Sequence, residues 1–431
     1  MSLIIILVIL MVLLIIGAPV MFAVGVAGFS YFIIAPNMWG SVGIYAHKFF
    51  TGMDSFVFLC IPLFTLAGDL MGQSGMMNHL VKFSQLLVGR IRGGLAYVNV
   101  LVSMLFGGIS GSAMADVSAL GPVIIEMMKK DGYKTEFAAA ITATSAIQGP
   151  IIPPSIPMVI FASVTNVSVG ALFLGGAIPG VLIGIGQMLM IALMARRRQF
   201  PRHYQQVSVQ EATKVTASAF WALLMPVIIL GGILGGIFTA TEAAAVAVGY
   251  AFFIATFVYK NMTFNGFMAS LTRSVKTTAS VYLIIAFSYV LGWIFAVERV
   301  PQMISQFVQA YDLSPYMVLF LINLFILFNG MWISDSVQLI LFAPIFTPLV
   351  VAMGIHPIHF GVVMVINVMI GLITPPYGFA FYLAATISNT KLKAVVKESL
   401  PFLIISIIVL FIVTYIPIIS LYLPKLMGLI K

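Results

Sequence analysis

The hydrophobic pattern of this chain consists of long apolar stretches separated by short polar loops, from the first residues to the last. Many stretches approach the ~20 residues that a helix needs to cross a bilayer, and the shorter alternating segments of a membrane barrel are absent from the sequence. The pattern predicts an all-α polytopic membrane protein. Uninterrupted spans are predicted at about 2–16, 19–35, 56–74, 170–195, 218–237, 240–259, 278–297 and 398–423.

Four further apolar stretches contain flexible residues near their middle. The stretch at about 94–128 is interrupted by GGISGSA and the one at about 315–352 by FNGMWIS, and each is too long for a single crossing. We expect both to be re-entrant helical hairpins that enter and leave the membrane on the same face. The stretches at about 136–165 and 357–388 contain Gly and a Pro-Pro pair, which predicts two discontinuous helices.

The two halves of the chain repeat one another. Four matches occur in the same order with offsets between 219 and 224, which indicates a duplicated half. Each half contains five membrane crossings and one hairpin. Because five is an odd number, the two halves are predicted to have opposite orientations in the membrane. The matches are FAVGVA at 22–27 with VAVGYA at 246–251, Gly68 with Gly292, Asp116 with Asp335, and Pro153-Pro154 with Pro375-Pro376.

The predicted domain boundaries follow from this inverted repeat. The first repeat covers 1–195 and the second covers 218–423. We expect a cytoplasmic linker at 196–217 between them and a periplasmic tail at 424–431 after them.

Composition and charge support the membrane assignment and its topology. Of the 431 residues, 61% are hydrophobic and 8% are charged, whereas soluble domains have about a quarter charged residues. Of the 21 Lys and Arg, 17 fall in loops on one predicted side, and only Lys48, Arg299, Lys425 and Lys431 fall on the other. The positive-inside rule makes the first side cytoplasmic. Both termini are then predicted to be periplasmic, and the net charge of +9 requires no nucleic-acid partner.

The two helix breaks suggest where a solute binds. Irregular backbone at membrane depth leaves N–H and C=O groups unpaired unless protein, water or a ligand satisfies them. At 148–155 the first half-helix ends in free carbonyl groups that suit a cation, and the second begins with N–H groups that suit an anion. The same polarity recurs at 371–378. A proline kink would explain one such break, but two repeat-matched breaks favour a functional site.

The hairpin tips provide oxygen ligands next to these breaks. Ser110, Ser112 and Asp116 lie at the first tip, and Asn329 and Asp335 at the second. Hydroxyl, carbonyl and carboxylate oxygens suit a hard cation such as sodium. An Asp near a helix start also acts as a cap and a dipole partner, so ion binding and helix stabilisation both stay open for the two acids.

Other candidate chemistry is limited. No Lys or Arg lies in the tips or breaks, so a carboxylate substrate would be held by half-helix N-termini, hydroxyl groups and bound cations. The histidines and the single cysteine, Cys60, show no metal-ligand spacing, so no transition-metal site is predicted. Met and Phe residues are expected to serve packing and contact with membrane lipid.

Four stretches resemble a known family: GGISGSAMADVSALG, IQGPIIPPSIPMV, GGIFTATEAAAVAV and IGLITPPYGFAFYLAA. They are similar to signature stretches of the large membrane subunit of tripartite ATP-independent periplasmic (TRAP) transporters. The resemblance implies sodium-driven symport of a small organic acid, and an elevator movement of a hairpin-bearing transport domain against a scaffold. It also implies two partners, a periplasmic substrate-binding protein and a small membrane subunit of about four helices. Because this chain begins at its first large-subunit span, we expect that small subunit to be a separate chain.

The resemblance also implies roles for individual residues, with sodium as the coupling ion and no other cofactor. The substrate set implied is Ser110, Ser112, Pro154, Ser155 and Thr374. The sodium set implied is Ser110, Asp116, Gly149, Pro150, Asn329, Gly330, Asp335, Thr374 and Pro375.

Other functions remain to be weighed against this one. A single-component sodium/dicarboxylate symporter of the same superfamily would use hairpins and broken helices alike. An intramembrane protease would need a Gly-x-Gly-Asp or His-Glu-x-x-His pattern, which the sequence lacks. A channel fits less well, because discontinuous helices around a midplane site suit alternating access. C4-dicarboxylates, 2-oxo acids and sialic acids all stay open as substrates.

Overall fold

The computed structural model describes residues 2–36, 38–202, 208–376 and 378–430. Within these ranges the chain is helical with connecting turns and contains no strand, which confirms the predicted all-α class. Part of the predicted linker, 203–207, and Lys431 lie outside the described residues.

The first half contains ten α-helices and three short 3₁₀ segments at Trp39–Ser41, Phe56–Leu59 and Ala146–Gln148. The α-helices are α1 (Ser2–Ile15), α2 (Val20–Ile34), α3 (Val42–Met53), α4 (Cys60–Gln73), α5 (Met76–Val88), α6 (Gly94–Ser110), α7 (Ala113–Lys130), α8 (Thr135–Ser145), α9 (Ile156–Thr165) and α10 (Val169–Arg198).

The described part of the second half contains another ten α-helices. They are α11 (Val209–Leu234), α12 (Ala240–Phe253, continued by a π-helical turn at Ile254–Val258), α13 (Phe264–Val297), α14 (Val300–Ala310), α15 (Pro315–Gly330), α16 (Asp335–Ala352), α17 (Pro357–Gly371), α18 (Phe379–Ser388), α19 (Leu392–Tyr415) and α20 (Ile418–Leu426).

Among the described residues, seven helical segments are long and apolar enough to cross a membrane. Helix α13 has 34 residues and is therefore about 51 Å long, much longer than the predicted span at 278–297. When the two halves are aligned with the offset of 224 residues, the first part of α13 corresponds to α3 and the second part of α13 corresponds to α4. The first half therefore has a break near Asp54 where the second half has one continuous helix.

Three helices, α3, α5 and α14, fall outside every span predicted from the hydrophobic pattern. Helices α5 and α14 follow α4 and α13 at equivalent positions of the two halves. Both mix apolar and polar residues along one short helix, as in MMNHLVKFSQLLV and VPQMISQFVQA. Neither is an apolar stretch of spanning length, so the search for apolar spans assigned both to loops.

Both predicted hairpins and both predicted breaks are present. Helices α6 and α7 form hairpin 1, and α15 and α16 form hairpin 2. Irregular segments at 149–155 and 372–378 separate the paired pieces α8/α9 and α17/α18; within the second segment, Tyr377 lies outside the described residues. The Pro153–Pro154 and Pro375–Pro376 peptide bonds are both cis.

The hairpins connect the two halves. Hairpin 1 packs through α7 against α8 of its own half and against α18 of the other half. Hairpin 2 packs through α16 against α17 of its own half and against α9 of the other. Each hairpin thus packs against broken-helix pieces of both halves.

Candidate substrate and ion site

A cavity of about 900 Å³ lies beside the hairpin tips. It is lined by the tip of hairpin 1, the start of α16 and parts of α4 and α13. The predicted site residues that line this cavity are Ser110, Ser112, Pro150 and Asp335. The other predicted site residues do not line it and lie behind its wall or at the second tip.

The tip of hairpin 1 is a two-residue turn. Ser110 ends α6, Gly111 has a left-handed conformation with φ +60°, and Ser112 begins α7 by accepting a hydrogen bond from the N–H of Ala115 at 3.4 Å. A Cβ on Gly111 would lie 2.7 Å from the carbonyl oxygen of Pro154. The tip thus rests directly on the first break, with the two hydroxyl groups beside the cavity.

Asp116 lies one turn below this tip and is fully buried. Neither of its carboxylate oxygens makes a well-formed hydrogen bond within the described residues, although the hydroxyl of Ser103 lies close to it. A buried carboxylate without a partner costs several kcal/mol. A bound cation or a proton would remove that cost, so Asp116 is the strongest single indication of an ion site.

Buried polar side chains surround the start of the first break. The amide of Asn99 donates to the hydroxyl of Thr142 at 2.7 Å, and the hydroxyls of Ser103 and Ser145 are 2.9 Å apart. These contacts tie α6 to α8 below the tip. The polar groups are mutually satisfied, whereas the carboxylate of Asp116 next to them is not.

The hydroxyl groups at the two breaks already form hydrogen bonds to the nearby backbone. Ser155 is fully buried, begins α9 by accepting from the N–H of Met158 at 3.2 Å, and donates to the carbonyl of Pro150. Thr374 donates to the carbonyl of Ile370 at 2.7 Å. In this conformation both hydroxyls therefore hold the break in shape and do not face the cavity.

Each hairpin crosses a broken helix at a pair of glycines. A Cβ on Gly107 would lie 2.2 Å from the Cα of Gly149, and a Cβ on Gly330 would lie 2.7 Å from the Cα of Gly371. Real Cβ contacts are essentially never so short, so the two backbones touch at these points. Gly107 and Gly371 were not among the predicted site residues, because a close approach of two backbones leaves no signal in the sequence spacing.

The second tip differs from the first in length and in its acid. Four residues, 331–334, separate α15 from α16, compared with two between α6 and α7. Asp335 is the first residue of α16, whereas Asp116 is the fourth residue of α7. Aligning the two helix starts gives an offset of 222, the same as that of the Pro-Pro pairs. The predicted pairing of Asp116 with Asp335 is therefore wrong.

The residue of hairpin 2 that corresponds to Asp116 is Gln338. Its amide donates to the carbonyl of Ile333 at 3.2 Å and thereby holds the longer tip. Its buried amide oxygen has no partner among the described residues, and the same is true of the hydroxyl of Ser334. Asn329, in contrast, donates to the carbonyl of Phe325 at 2.7 Å. At the position aligned with Asp116, the second tip thus offers a neutral amide oxygen, whereas its own carboxylate, Asp335, lines the cavity.

Two positively charged residues of α13 were missed as site residues. Arg273 and Lys276 line the cavity from the first part of α13. The sequence analysis placed both in a cytoplasmic loop, because the predicted span began only at residue 278. The signal was present in the polar residues spaced three and four apart from residue 270 onward, which a longer amphipathic helix would place on one face.

Comparison with known proteins gives one consistent family. The family model described as "Tripartite ATP-independent periplasmic transporter, DctM component" matches residues 7–419. The chain is 41% identical over 410 residues to the sialic acid TRAP transporter large permease protein SiaM of Vibrio cholerae serotype O1, with 95% of each chain covered. It is also 41% identical to the C4-dicarboxylate TRAP transporter large permease protein DctM of Pseudomonas aeruginosa, covering 90% of this chain and 91% of that one.

A further relative and a solved structure extend the comparison. The sialic acid TRAP transporter permease protein SiaT of Haemophilus influenzae is 37% identical, with 96% of this chain and 66% of that one covered. The fold is similar to that of the YdaH transporter of Alcanivorax borkumensis, with a TM-score of 0.59 over 91% of this chain and 90% of that one. At 14% identity, this likeness concerns the fold alone.

Proposed function

We propose, because this chain belongs to the DctM component family of TRAP transporters, that it carries a small organic acid across the bacterial inner membrane together with sodium ions. As a large permease component it is a multi-pass membrane protein and not an enzyme. Relatives are named for sialic acid, C4-dicarboxylates and 2,3-diketo-L-gulonate, all of them acids. A small carboxylate is therefore the proposed substrate class.

The sodium proposal depends mainly on Asp116. This carboxylate is fully buried and unpartnered beside the crossing of hairpin 1 and the first break. The carbonyl groups of 149–155 lie outside regular helix, and apart from those of Pro150 and Ser155, which accept hydrogen bonds, they are available as further oxygen ligands. At the second crossing, Gln338 and Ser334 present unpartnered buried oxygens in a similar place. The proposed arrangement is one ion site per half, with Asp116 as the carboxylate of the first and Asp335, next to Ser334, as the carboxylate of the second.

The proposed substrate site lies between the two tips, in the cavity. Ser110, Ser112 and Asp335 all line it. The N-terminus of α9 also reaches the cavity through Ile156 and Pro157, so its N–H groups favour a negatively charged ligand. With sodium bound nearby, a carboxylate would be stabilised without any Lys or Arg at the tips.

The proposed transport step is an elevator movement of the hairpins and broken helices relative to a scaffold that includes α4 and α13. Gly68 on α4 lies against the tip of hairpin 1, where a Cβ would come within 3.0 Å of the Cα of Ser110. A glycine at this contact keeps the surface of the scaffold smooth where the tip would slide. The proposed topology has both termini in the periplasm, with the basic loops in the cytoplasm.

We further propose two partners, a small membrane subunit and a periplasmic substrate-binding protein. The family description names a tripartite periplasmic transporter, and two relatives are called large permease proteins. Omission of the binding protein from an uptake assay separates this proposal from a single-component symporter. Uptake that is equally fast without it would favour the symporter.

Reconstitution tests the coupling ion. The chain is placed in proteoliposomes with its small subunit, binding protein and labelled acid, and an inward sodium gradient is imposed without ATP. Replacing sodium with potassium should abolish uptake. Uptake that persists in potassium but requires a proton gradient would overturn the sodium proposal and favour protonation of Asp116 or Asp335.

A further inference from the structure

One face of α13 brings positive charge into the cavity. Arg273, Lys276, Thr277 and Val281 all line it, and their spacing of three, four and eight residues places them on one side of the helix. Arg273 and Lys276 both line the cavity that the tip of hairpin 1 also lines. Neither the tips nor the breaks contain a Lys or Arg, so this face supplies the cationic part of the cavity.

The two cations differ in what they contact. Arg273 makes a bidentate ion pair with Asp69 of α4, from Nε to Oδ1 at 3.0 Å and from Nη2 to Oδ2 at 2.9 Å. Gln73 also donates to this carboxylate, at 3.0 Å. Lys276 makes no ion pair with any residue in the described ranges. One cation of the cavity is thus neutralised and the other is free.

The position of Lys276 suggests a role in solute release. It lies about 4.5 Å further along α13 than Arg273, away from the end of the helix that follows the loop containing Lys260. The cavity also contains the carboxylate of Asp335, at the start of α16, a helix that packs against α13. A solute that leaves the tips toward the basic loops passes this face.

We propose that Lys276, assisted by Arg273, forms a second carboxylate-binding station on the scaffold, which receives the acidic solute between its release from the tips and its exit. This inference rests on the proposed function, since it requires an acidic substrate. Asp69 competes for Arg273 and so prevents the station from trapping the solute. An exposed ion pair contributes modestly to binding, so the station holds its ligand weakly and releases it.

The test measures binding from the side of the basic loops. The probe is whichever labelled acid the wild type moves best among succinate, pyruvate and N-acetylneuraminate. Proteoliposomes that hold the complex in one orientation are loaded with increasing internal concentrations of this acid, and its efflux is measured. Lys276→Gln should raise the half-saturating internal concentration about threefold to tenfold. Uptake driven by the binding protein from outside should keep its half-saturating concentration. Lys276→Arg should restore the wild-type value.

Two further variants give the test its controls. Lys214→Gln makes the same change of charge on α11, at an exposed residue that does not line the cavity, and should leave efflux unchanged. Asp69→Asn frees Arg273 and should lower the half-saturating internal concentration, an effect opposite to that of Lys276→Gln. A variant that merely damaged the fold would not produce opposite shifts.

The outcomes separate this inference from the proposed function. If Lys276→Gln and Lys214→Gln give the same efflux curve while the wild type moves the acid, the proposed binding station at Lys276 is refuted and the proposed transport function stands. A wild type that moves none of the acids but transports a neutral solute would overturn both. If Lys276→Gln raises the half-saturating concentration and Lys276→Arg raises it as well, the charge of residue 276 is not what binds the solute.

Discussion

Replacement of Gly107 by alanine is the sharpest test of the crossing between hairpin 1 and the first break. The added Cβ would lie 2.2 Å from the Cα of Gly149. Ordinary van der Waals contact begins at 3.4 Å, so the two backbones must separate by 3.4 − 2.2 = 1.2 Å. Neither atom is the end of a flexible side chain, so no rotamer change relieves the contact.

The expected consequence is a weakened ion site. Overpacking a well-packed contact costs about 1–3 kcal/mol, and each 1.4 kcal/mol corresponds to a tenfold change in affinity. If the crossing positions the carbonyl groups around the ion, the sodium concentration for half-maximal uptake should rise about fivefold to 150-fold. The melting temperature should fall, and added sodium should restore less of it than in the wild type.

Matched variants control this measurement. Gly249→Ala adds the same methyl group within α12, where nothing lies within 4 Å, and alanine favours a helix over glycine. It should keep wild-type sodium dependence. Gly371→Ala needs a smaller separation at the second crossing, 3.4 − 2.8 = 0.6 Å, and provides a milder variant if Gly107→Ala is poorly folded. Sodium dependence unchanged in both Gly107→Ala and Gly371→Ala would refute the idea that the crossings set the ion sites.

Further predictions concern the tips and the assembly. Ser112→Ala should lower affinity for substrate or ion about fivefold to 150-fold in uptake assays, since loss of a polar partner at the site costs about 1–3 kcal/mol; unchanged affinity would show that the hydroxyl only begins α7. Asp335→Asn should express normally but require far more sodium, whereas a lower melting temperature with unaltered sodium dependence would show a helix-stabilising role alone. Asp116→Asn should remove the unpartnered buried charge, raising thermal stability in sodium-free buffer while abolishing stabilisation by sodium; a variant that sodium still stabilises would contradict the proposed ion site. The purified complex should contain one large and one small subunit, and a mass with two large subunits would count against this.

The sequence allowed the hairpins and breaks to be predicted because their causes are local. Gly-rich tips and Pro-Pro pairs interrupt apolar stretches, and the offset between the halves repeats them. The amphipathic helices α5 and α14 and the first part of α13 were missed for the opposite reason. Their faces divide between protein and a polar surface, so a search for uniformly apolar spans cannot find them.

The candidate site was predictable only in part. Ser110, Ser112 and Asp335 were expected at the tips, and all three line the cavity. The contribution of Lys276 depends on the length of α13, and the contact of Gly107 depends on a crossing with a segment more than 40 residues away. The wrong pairing of Asp116 with Asp335 came from matching residue types across tips of unequal length. Such features arise from tertiary contacts, which spacing along one chain does not encode.

The exchange of partners between the halves has a consequence for how the chain is made. Helix α7 rests on α18, which begins 266 positions later in the chain, from Ala113 to Phe379. At synthesis rates of about 5–20 residues per second, hairpin 1 waits roughly 13–53 s for this neighbour. During that interval its polar tip has no completed cavity to line. A ribosome-bound chain that ends before α18 should therefore be a preferred client of membrane chaperones, and the newborn protein gains its site only when nearly all of it has been inserted.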